Sequence, residues 1–544
     1  MASLHASVDN NTSLSGDREA PPPTAAPRRR GGWITTPFII ATVFGLTVAA
    51  GGWSGNLIVF LINEFNIKRI DAAQISNVVN GCVNFFPLLA AVAADSLFGC
   101  FSVIWISSLI SLLGIFLLLL TVAADGLKPA PSEPASRIQY AVLYSGMALA
   151  SIGMGGTRFT LATMGANQIK HKATFFNWYF FSLYSASFIS ATAIVYVEDN
   201  VGWRWGFGIA IAANALALAL FLVGAPYYSR DEPRASPFTA LLRVAVAAFR
   251  KRKAVAGVTN VDYYYGDDGV KGDAPTNWFS QLNRAAVKLD GDILPNGVVA
   301  APWRLCTVQQ VEDLKTLMRI LPLWSSSIFL GTPIGVQLSL TVLQSLASDR
   351  RLSAGFTFPA GSIIVFSFVS TAVGVILIDR CFRPSWRRMV GGKELTPLQQ
   401  IGIGHVFNVA SMAVSALVES RRRRRLMSVM WLVPQMVVVG VGEAFHFPGQ
   451  VGLYYQEFPA SLKGVATAMV AMLVGVAFYL STAVVDFIRR VTHWLPDDID
   501  HGRLDYVYWV MVVIGIANFG YFLVIACLYH YKNEEVVIKK DEKA

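Results

Sequence analysis

Apolar stretches recur along almost the whole chain, each close to the ~20 residues that cross a lipid hydrocarbon core. Six lie at about 37–62, 73–95, 101–123, 138–161, 179–197 and 205–226. A polar segment, 227–315, interrupts them, and six more follow near 316–345, 357–379, 398–418, 427–456, 464–487 and 506–531. The pattern predicts an all-α membrane protein with twelve transmembrane helices. Residues 1–36 are polar and Pro-rich and predict a disordered N-terminal tail, while 532–544 form a short C-terminal tail.

Six spans, a long polar connection and six more is the arithmetic of a major-facilitator fold. Two six-helix bundles, 37–226 and 316–531, are joined by a cytoplasmic linker, 227–315, and rock about a site near the membrane midplane. An even span count puts both tails on one side. Lys and Arg in the N-terminal tail, the linker and the 380–393 loop mark that side as cytoplasmic. The run Arg421 to Arg425 conflicts with this, because it falls between spans nine and ten and so outside. Either a late loop breaks the charge rule once earlier charges have set the orientation, or a span is miscounted; the count of twelve is kept. Within the linker, Pro237 to Arg252 carries apolar residues at helical spacing and ends in a basic cluster. That predicts an amphipathic helix lying on the inner membrane face or bridging the bundles; a solvated charged loop is the alternative.

Composition narrows the class further. The chain is 54% hydrophobic and only 15% charged, with a mean hydropathy of +0.48. Soluble domains carry about 25% charged residues, which excludes a soluble enzyme. The net charge of +10 sits at span flanks, where it faces anionic headgroups, so no nucleic-acid partner is expected. Five cysteines show no CxxC spacing, so neither a metal site nor a disulfide framework nor a cofactor is signalled. No signal peptide is recognisable at the N-terminus. The sequon Asn11-Thr12-Ser13 lies in a tail that would never meet the glycosylation machinery. Gly51-Gly52-x-x-Gly55 and Gly153-x-Gly155-Gly156 do not follow a strand, so they read as helix-packing sites rather than nucleotide loops. No nucleophile–base pair or phosphate loop supports an enzyme.

Several motifs together carry a resemblance. Asn56 to Leu61 closes the first span, Gly153 to Arg158 lies in the fourth, Phe175 to Phe180 enters the fifth and Trp205 to Gly208 the sixth. Trp303 to Glu312 ends the linker, and Gly442 to Phe445, Gly449-Gln450, Tyr454 to Gln456 and Pro459 fall in or beside the tenth span. In their order and spacing these resemble the proton-dependent oligopeptide transporter superfamily, in its plant nitrate and peptide transporter branch. The resemblance implies proton-driven uptake through a Glu-x-x-Glu-Arg motif in the first span, but here those positions are Val43, Leu46 and Thr47. A proton cycle needs a carboxylate tuned by neighbouring charges. Its loss implies likeness to the nitrate-excretion type, which also lacks the motif. A glutamate common in the tenth span of peptide carriers is Gly452, and a nitrate-binding histidine of one relative aligns with Ile334. The inner-loop motif keeps Asp95 and Gly99 but has Cys100 for arginine, and a phosphorylated threonine aligns with Val103, next to Ser102.

Three ionisable residues stand out within the predicted spans: Arg158, Glu443 and His446. A charge at the bilayer centre costs about 2.5–3.5 kcal/mol on insertion scales, so it faces a cavity or a partner. The resemblance implies that Arg158 and Glu443 approach each other across the cavity. A guanidinium fork suits a planar oxyanion. Arg158 then gathers the anion while Glu443 competes for it; the alternative is a structural salt bridge. His446 is a candidate proton site or an inert hydrogen-bonded side chain. Gln344, Gln450, Tyr455 and Asn56 either line the path or bond helix to helix. Trp53, Trp178 and Trp205 fit interfacial belts. Three functions remain open: a facilitative carrier of a small anion such as nitrate or chloride, a proton-coupled symporter of peptides or plant metabolites, and a non-transporting sensor. Each would work as a multi-pass protein, with the plasma membrane expected from the resemblance.

Overall fold

The computed structural model describes residues 31–130, 133–169, 172–230, 237–253, 262–266, 274–294, 299–459 and 466–529. Ten of its helices are long and apolar enough to cross a membrane. One of these, Arg69–Ala123, contains two spans, Arg69–Ala93 and Gly99–Ala123, which reverse at Gly99. Gly99 has φ of 72°, a left-handed conformation that a side chain resists. A twelfth span, Arg137–Gln168, is not among the ten. It is rich in Gly, Ser and Thr because it packs backbone to backbone on its neighbour. A Cβ on Gly114 would sit 2.8 Å from the Gly146 carbonyl oxygen, and one on Gly146 would sit 3.1 Å from that of Gly114. A span covered by protein needs small residues more than lipophilic ones. The fold is therefore two six-helix bundles joined by a cytoplasmic linker, as the hydropathy pattern predicts. The predicted tails, apart from the residues just before the first span, lie outside the described residues.

The bundles meet most tightly at the outer end. An apolar cluster there takes Leu57, Phe60 and Phe65 from the first half and Leu340, Phe358 and Ile363 from the second. Around it Arg489 pairs with Asp71 and with Asp497 at 3.3 Å, and Lys68 pairs with Asp497 at 3.0 Å. Nearer the midplane the second and eleventh spans touch through glycines. A Cβ on Gly475 would lie 2.8 Å from the Gly81 carbonyl oxygen. One turn on, the Tyr479 ring of the eleventh span fills the space that Gly81 leaves open. A tag inserted after Arg351, in an exposed hairpin strand, is expected to label from outside, and one after Lys253 only from inside. Labelling of both from one face would overturn the topology.

The basic run at 421–425 is explained by its partners. Arg422 is buried, bonds both carboxylate oxygens of Glu419 at 2.8 and 2.9 Å, and reaches Asp500 at 2.5 Å. Arg423 lies 3.5 Å from Asp505. Outer-side carboxylates thus balance part of the run, so it sets no orientation. Breaking a buried pair strands the partner charge, at roughly 3–5 kcal/mol. Arg422→Ala should therefore lower the unfolding temperature sharply, whereas Arg424→Ala and Arg425→Ala, both exposed, should change stability by less than about 0.5 kcal/mol. Thermal unfolding in detergent reads the difference.

The linker forms the predicted helix, Pro237–Arg250. Part of its apolar surface packs on protein, while Leu242 and Phe249 stay exposed. Val244, Ala247 and Ala248 pack on Ala285, Ala286 and Val311, and Leu241 joins a cluster with Ile320 and Leu323. Lys251 is buried against Asp292 at 2.6 Å, which Arg304 also meets at 3.2 Å. Burial pushes the nearby Cys306 thiol up to about 11 against the pull of Lys251 and Arg243, leaving it unreactive. The stretch of resemblance at the linker end is a capping box. Thr307 and Gln310 exchange side-chain and backbone hydrogen bonds at the start of the seventh span, Val308–Leu346. That helix, 39 residues long, begins below the predicted 316 and serves as the platform on which the linker packs.

Candidate functional site

A central cavity of about 510 Å³ opens between the bundles. Among the described residues its lining holds one arginine, Arg158, one carboxylate, Glu443, and no other charged side chain. Arg158 projects from the fourth span. Its own backbone carbonyl accepts a 2.6 Å hydrogen bond from Tyr179 Oη, which ties the fourth span to the fifth at that turn. Its guanidinium lies 5.6 Å from the centroid of the Phe159 ring. Glu443, on the tenth span, accepts from Thr371 Oγ1 at 3.3 Å, and Ser367 also hydrogen-bonds it. Both partners are on the eighth span. The Tyr184 phenol lies within electrostatic reach of Arg158 and Glu443 alike. Among the described residues no ion pair joins the two charges in this state. They share one cavity without contact.

Val43, Leu46 and Thr47 all line the cavity. The motif positions of the resemblance thus face the cavity and present hydrocarbon and one hydroxyl. Opposite them the second span contributes Asn77, Asn80 and Asn84. Asn77 donates to Ser339 across the bundles at 3.2 Å, while the Asn80 and Asn84 amides donate to carbonyls one turn back. These asparagines were missed by attention to charge alone. Their spacing of three and four residues within a predicted span is the helical signal that marks them.

The other candidates divide. Asn56 reaches the cavity wall at the break between Thr36–Ser54 and Leu57–Phe65, and donates to Asp199 at 2.7 Å. Gln344, Gln450, Tyr455 and His446 do not line it. Gln344 is fully buried in a structural knot: it donates to Glu419 at 2.7 Å and accepts from Gln435 and Tyr508 at 3.0 Å each. Gln450 donates to Tyr454 Oη at 2.8 Å inside the second bundle, and Tyr455 is exposed. His446 turns toward the ninth span, where Gly404 makes room; a Cβ on that glycine would lie 2.9 Å from His446 Cβ. There it meets His405, ring centroids 6.0 Å apart. His405 is itself an intramembrane histidine that a search for charges overlooks; it bonds the Ile401 carbonyl at 3.0 Å. Trp178 and Trp205 are exposed as an interfacial belt requires, but Trp53 is 1% exposed and belongs to the core.

Two helical bundles packed around a midplane cavity that holds an arginine and a glutamate define a secondary transporter of the major-facilitator type. Residues 101–499 match the profile of PTR2, the POT family. The chain is 51% identical to the protein NRT1/PTR FAMILY 2.7 of Arabidopsis thaliana, over 96% of each chain, and 49% identical to NRT1/PTR FAMILY 2.6 of the same plant, over 96% and 97%. The fold is similar to that of the POT family transporter PepTSo, with a TM-score of 0.71 at 16% identity over 92% of this chain and 99% of that one. An auto-inhibited POT family peptide transporter gives a TM-score of 0.70 at 17% identity, over 91% and 97%. The chain belongs to the POT family, and it is a multi-pass membrane transporter.

Proposed function

We propose that the chain is a facilitative carrier of a small anion, nitrate first among them, that works by alternating access without proton coupling. The observation that supports it most is the charge inventory of the cavity. Among the described residues Arg158 stands free of any acidic partner, and the three positions that would carry a proton motif are apolar or hydroxylic. An unpaired guanidinium binds an anion through charge-assisted hydrogen bonds. The Asn77, Asn80 and Asn84 stripe supplies uncharged partners along the path. Efflux follows from a negative-inside potential acting on an uncoupled anion in the plasma membrane.

One observation favours a second reading. The cavity volume lies in the range that small organic ligands occupy, roughly 300–1,000 Å³, and exceeds what a nitrate ion fills. A symporter of peptides or plant metabolites, with Glu443 carrying the proton, uses that space. Purified protein in vesicles separates the two. The facilitator moves nitrate or chloride down its gradient with no change in lumen pH. The symporter acidifies the lumen as an organic solute enters, and that result overturns the proposal.

A further inference from the structure

The outer rim of the site holds a carboxyl group that the transport path does not use. Glu198 lies within the short helix Val195–Asn200 that continues the fifth span, and it is 2% exposed. Neither of its carboxyl oxygens has a hydrogen-bond partner. The nearest side-chain donor, the Asn56 amide, bonds Asp199 at 2.7 Å and reaches Glu198 only outside good hydrogen-bond geometry. The sixth span closes over it from the other side, because Gly206 lies directly against its side chain and a Cβ there would meet Glu198 Oε1 at 2.9 Å. Among the described residues no Lys, Arg or His is ion-paired with it. An ionised carboxylate in such a place lacks both water and a counter-charge, and its burial costs several kcal/mol. A carboxylic acid there carries no such penalty.

The neighbours place this group in the seal between the bundles. Asp199 faces the backbone N–H of Ala360 and the Arg350 guanidinium, both from the second half. Gly361 packs against Asn56; a Cβ on that glycine would lie 2.5 Å from Asn56 Oδ1. Asn56 and Gly361 line the cavity, whereas Glu198 and Asp199 do not. The acidic pair therefore lies beyond the cavity, behind Asn56, on the outer side. Parting of the bundles at this end separates Asp199 from Ala360 and exposes the pair to outer water, not to the inside. The titratable or charged groups that face it are Asp199 for Glu198, and Glu198 and Arg350 for Asp199.

We infer that Glu198, supported by Asp199, is a proton-binding site of the outer seal: it takes a proton from outside as the seal closes and returns it to the same side as the seal opens. The glutamate carboxylate gains one O–H bond on closure and loses it on opening, so no proton crosses the membrane. External acid thus shifts the carrier toward the sealed state without driving transport. This goes beyond the facilitator reading and is compatible with either coupling scheme.

The test is accessibility from outside. Ser187→Cys places a thiol in the cavity wall. Its labelling by a membrane-impermeant maleimide on intact cells is followed between external pH 8 and 6, with the unsubstituted chain run in parallel as the background of the native cysteines. One linked proton changes the open fraction by at most about tenfold per pH unit, so labelling should slow several-fold on acidification. Adding Glu198→Gln, which mimics the neutral acid, should remove the dependence and hold labelling at the slow, acid-side rate. Glu198→Asp should keep a dependence. Labelling of Ser187→Cys that ignores external pH overturns the inference with no further variant needed. So does a dependence that survives in Glu198→Gln, or a Glu198→Gln chain that labels fast. If Glu198→Gln fails to reach the surface, loss of the dependence in Glu198→Asp overturns it instead. A reversal potential that tracks pH would refute the uncoupled carrier but leave the seal site standing, so the two failures are distinguishable.

Discussion

Arg158→Ala should raise the concentration of anion needed for half-maximal flux by about 10- to 150-fold, with the protein still folded and present in the membrane. The magnitude follows from hydrogen bonds to a charged group, worth about 1.5–3 kcal/mol, at 1.4 kcal/mol per factor of ten. Folding should be spared because the side chain is not ion-paired here. The Tyr179 bond at that turn goes to the Arg158 backbone carbonyl, which alanine keeps. Arg158→Lys retains the charge but loses the planar fork, so it should fall between parent and alanine. Glu443→Gln should act in the opposite sense, tightening anion binding by removing the negative charge that shares the cavity. The double variant reads whether the two charges communicate across the cycle. A double-variant change that departs from the sum of the two single changes shows coupling; an additive change shows that they act independently. An unchanged half-saturation in Arg158→Ala, at equal surface expression, would remove Arg158 from the site.

The second large effect is electrical. With Val43, Leu46 and Thr47 at the cavity wall, the reversal potential should follow the anion gradient and stay still when external pH falls from 7.5 to 5.5. One pH unit is worth about 1.4 kcal/mol, and about 2.3 kcal/mol corresponds to 100 mV for a unit charge. A symporter moving two protons with one monovalent anion carries one net positive charge, so its reversal potential would shift by roughly 120 mV per pH unit. The two outcomes are far apart. A shift of that size would move proton carriage to Glu443, the only carboxylate lining the cavity among the described residues. His446 is a poorer candidate than its isolation in the sequence suggests, because it is buried within the second bundle beside His405 and away from the path.

Secondary structure and topology were legible because lipid imposes them locally. A span must satisfy its own backbone and cover about 30 Å of hydrocarbon, so length and hydropathy reveal it without knowledge of its neighbours. Arg137–Gln168 shows where that logic weakens. Its glycines answer to the helix beside it, and its hydropathy falls accordingly. The linker helix was visible through its periodicity, but not the surface it would cover. An amphipathic face fits a membrane or a folded partner equally well, and only the packing of Val244 and Ala247 on Ala285 and Ala286 decided between them.

The site divides along the same line. Arg158 and Glu443 could be named from sequence because a charge within a span must face a cavity or a partner, and the lost motif could be read directly at Val43, Leu46 and Thr47. Which polar residues join them depends on the rotation of each helix about its axis and on what lies across the gap. Gln344 and Asn77 are alike in chemistry and in setting along the chain. Yet Gln344 faces Glu419, Gln435 and Tyr508 in a sealed knot, while Asn77 reaches the cavity and bonds the opposite bundle. The arginine run at 421–425 seemed to violate the charge rule until Asp500 and Asp505, some eighty residues away in sequence, were seen to neutralise two of its members. The sequence by itself determined the class, the span count and the missing proton motif, since each depends on residues read one helix at a time. Only the tertiary structure decided which side chains share the cavity, which are spent on holding helices together, and that an unpartnered carboxyl lies in the outer seal, because those are properties of the space between helices.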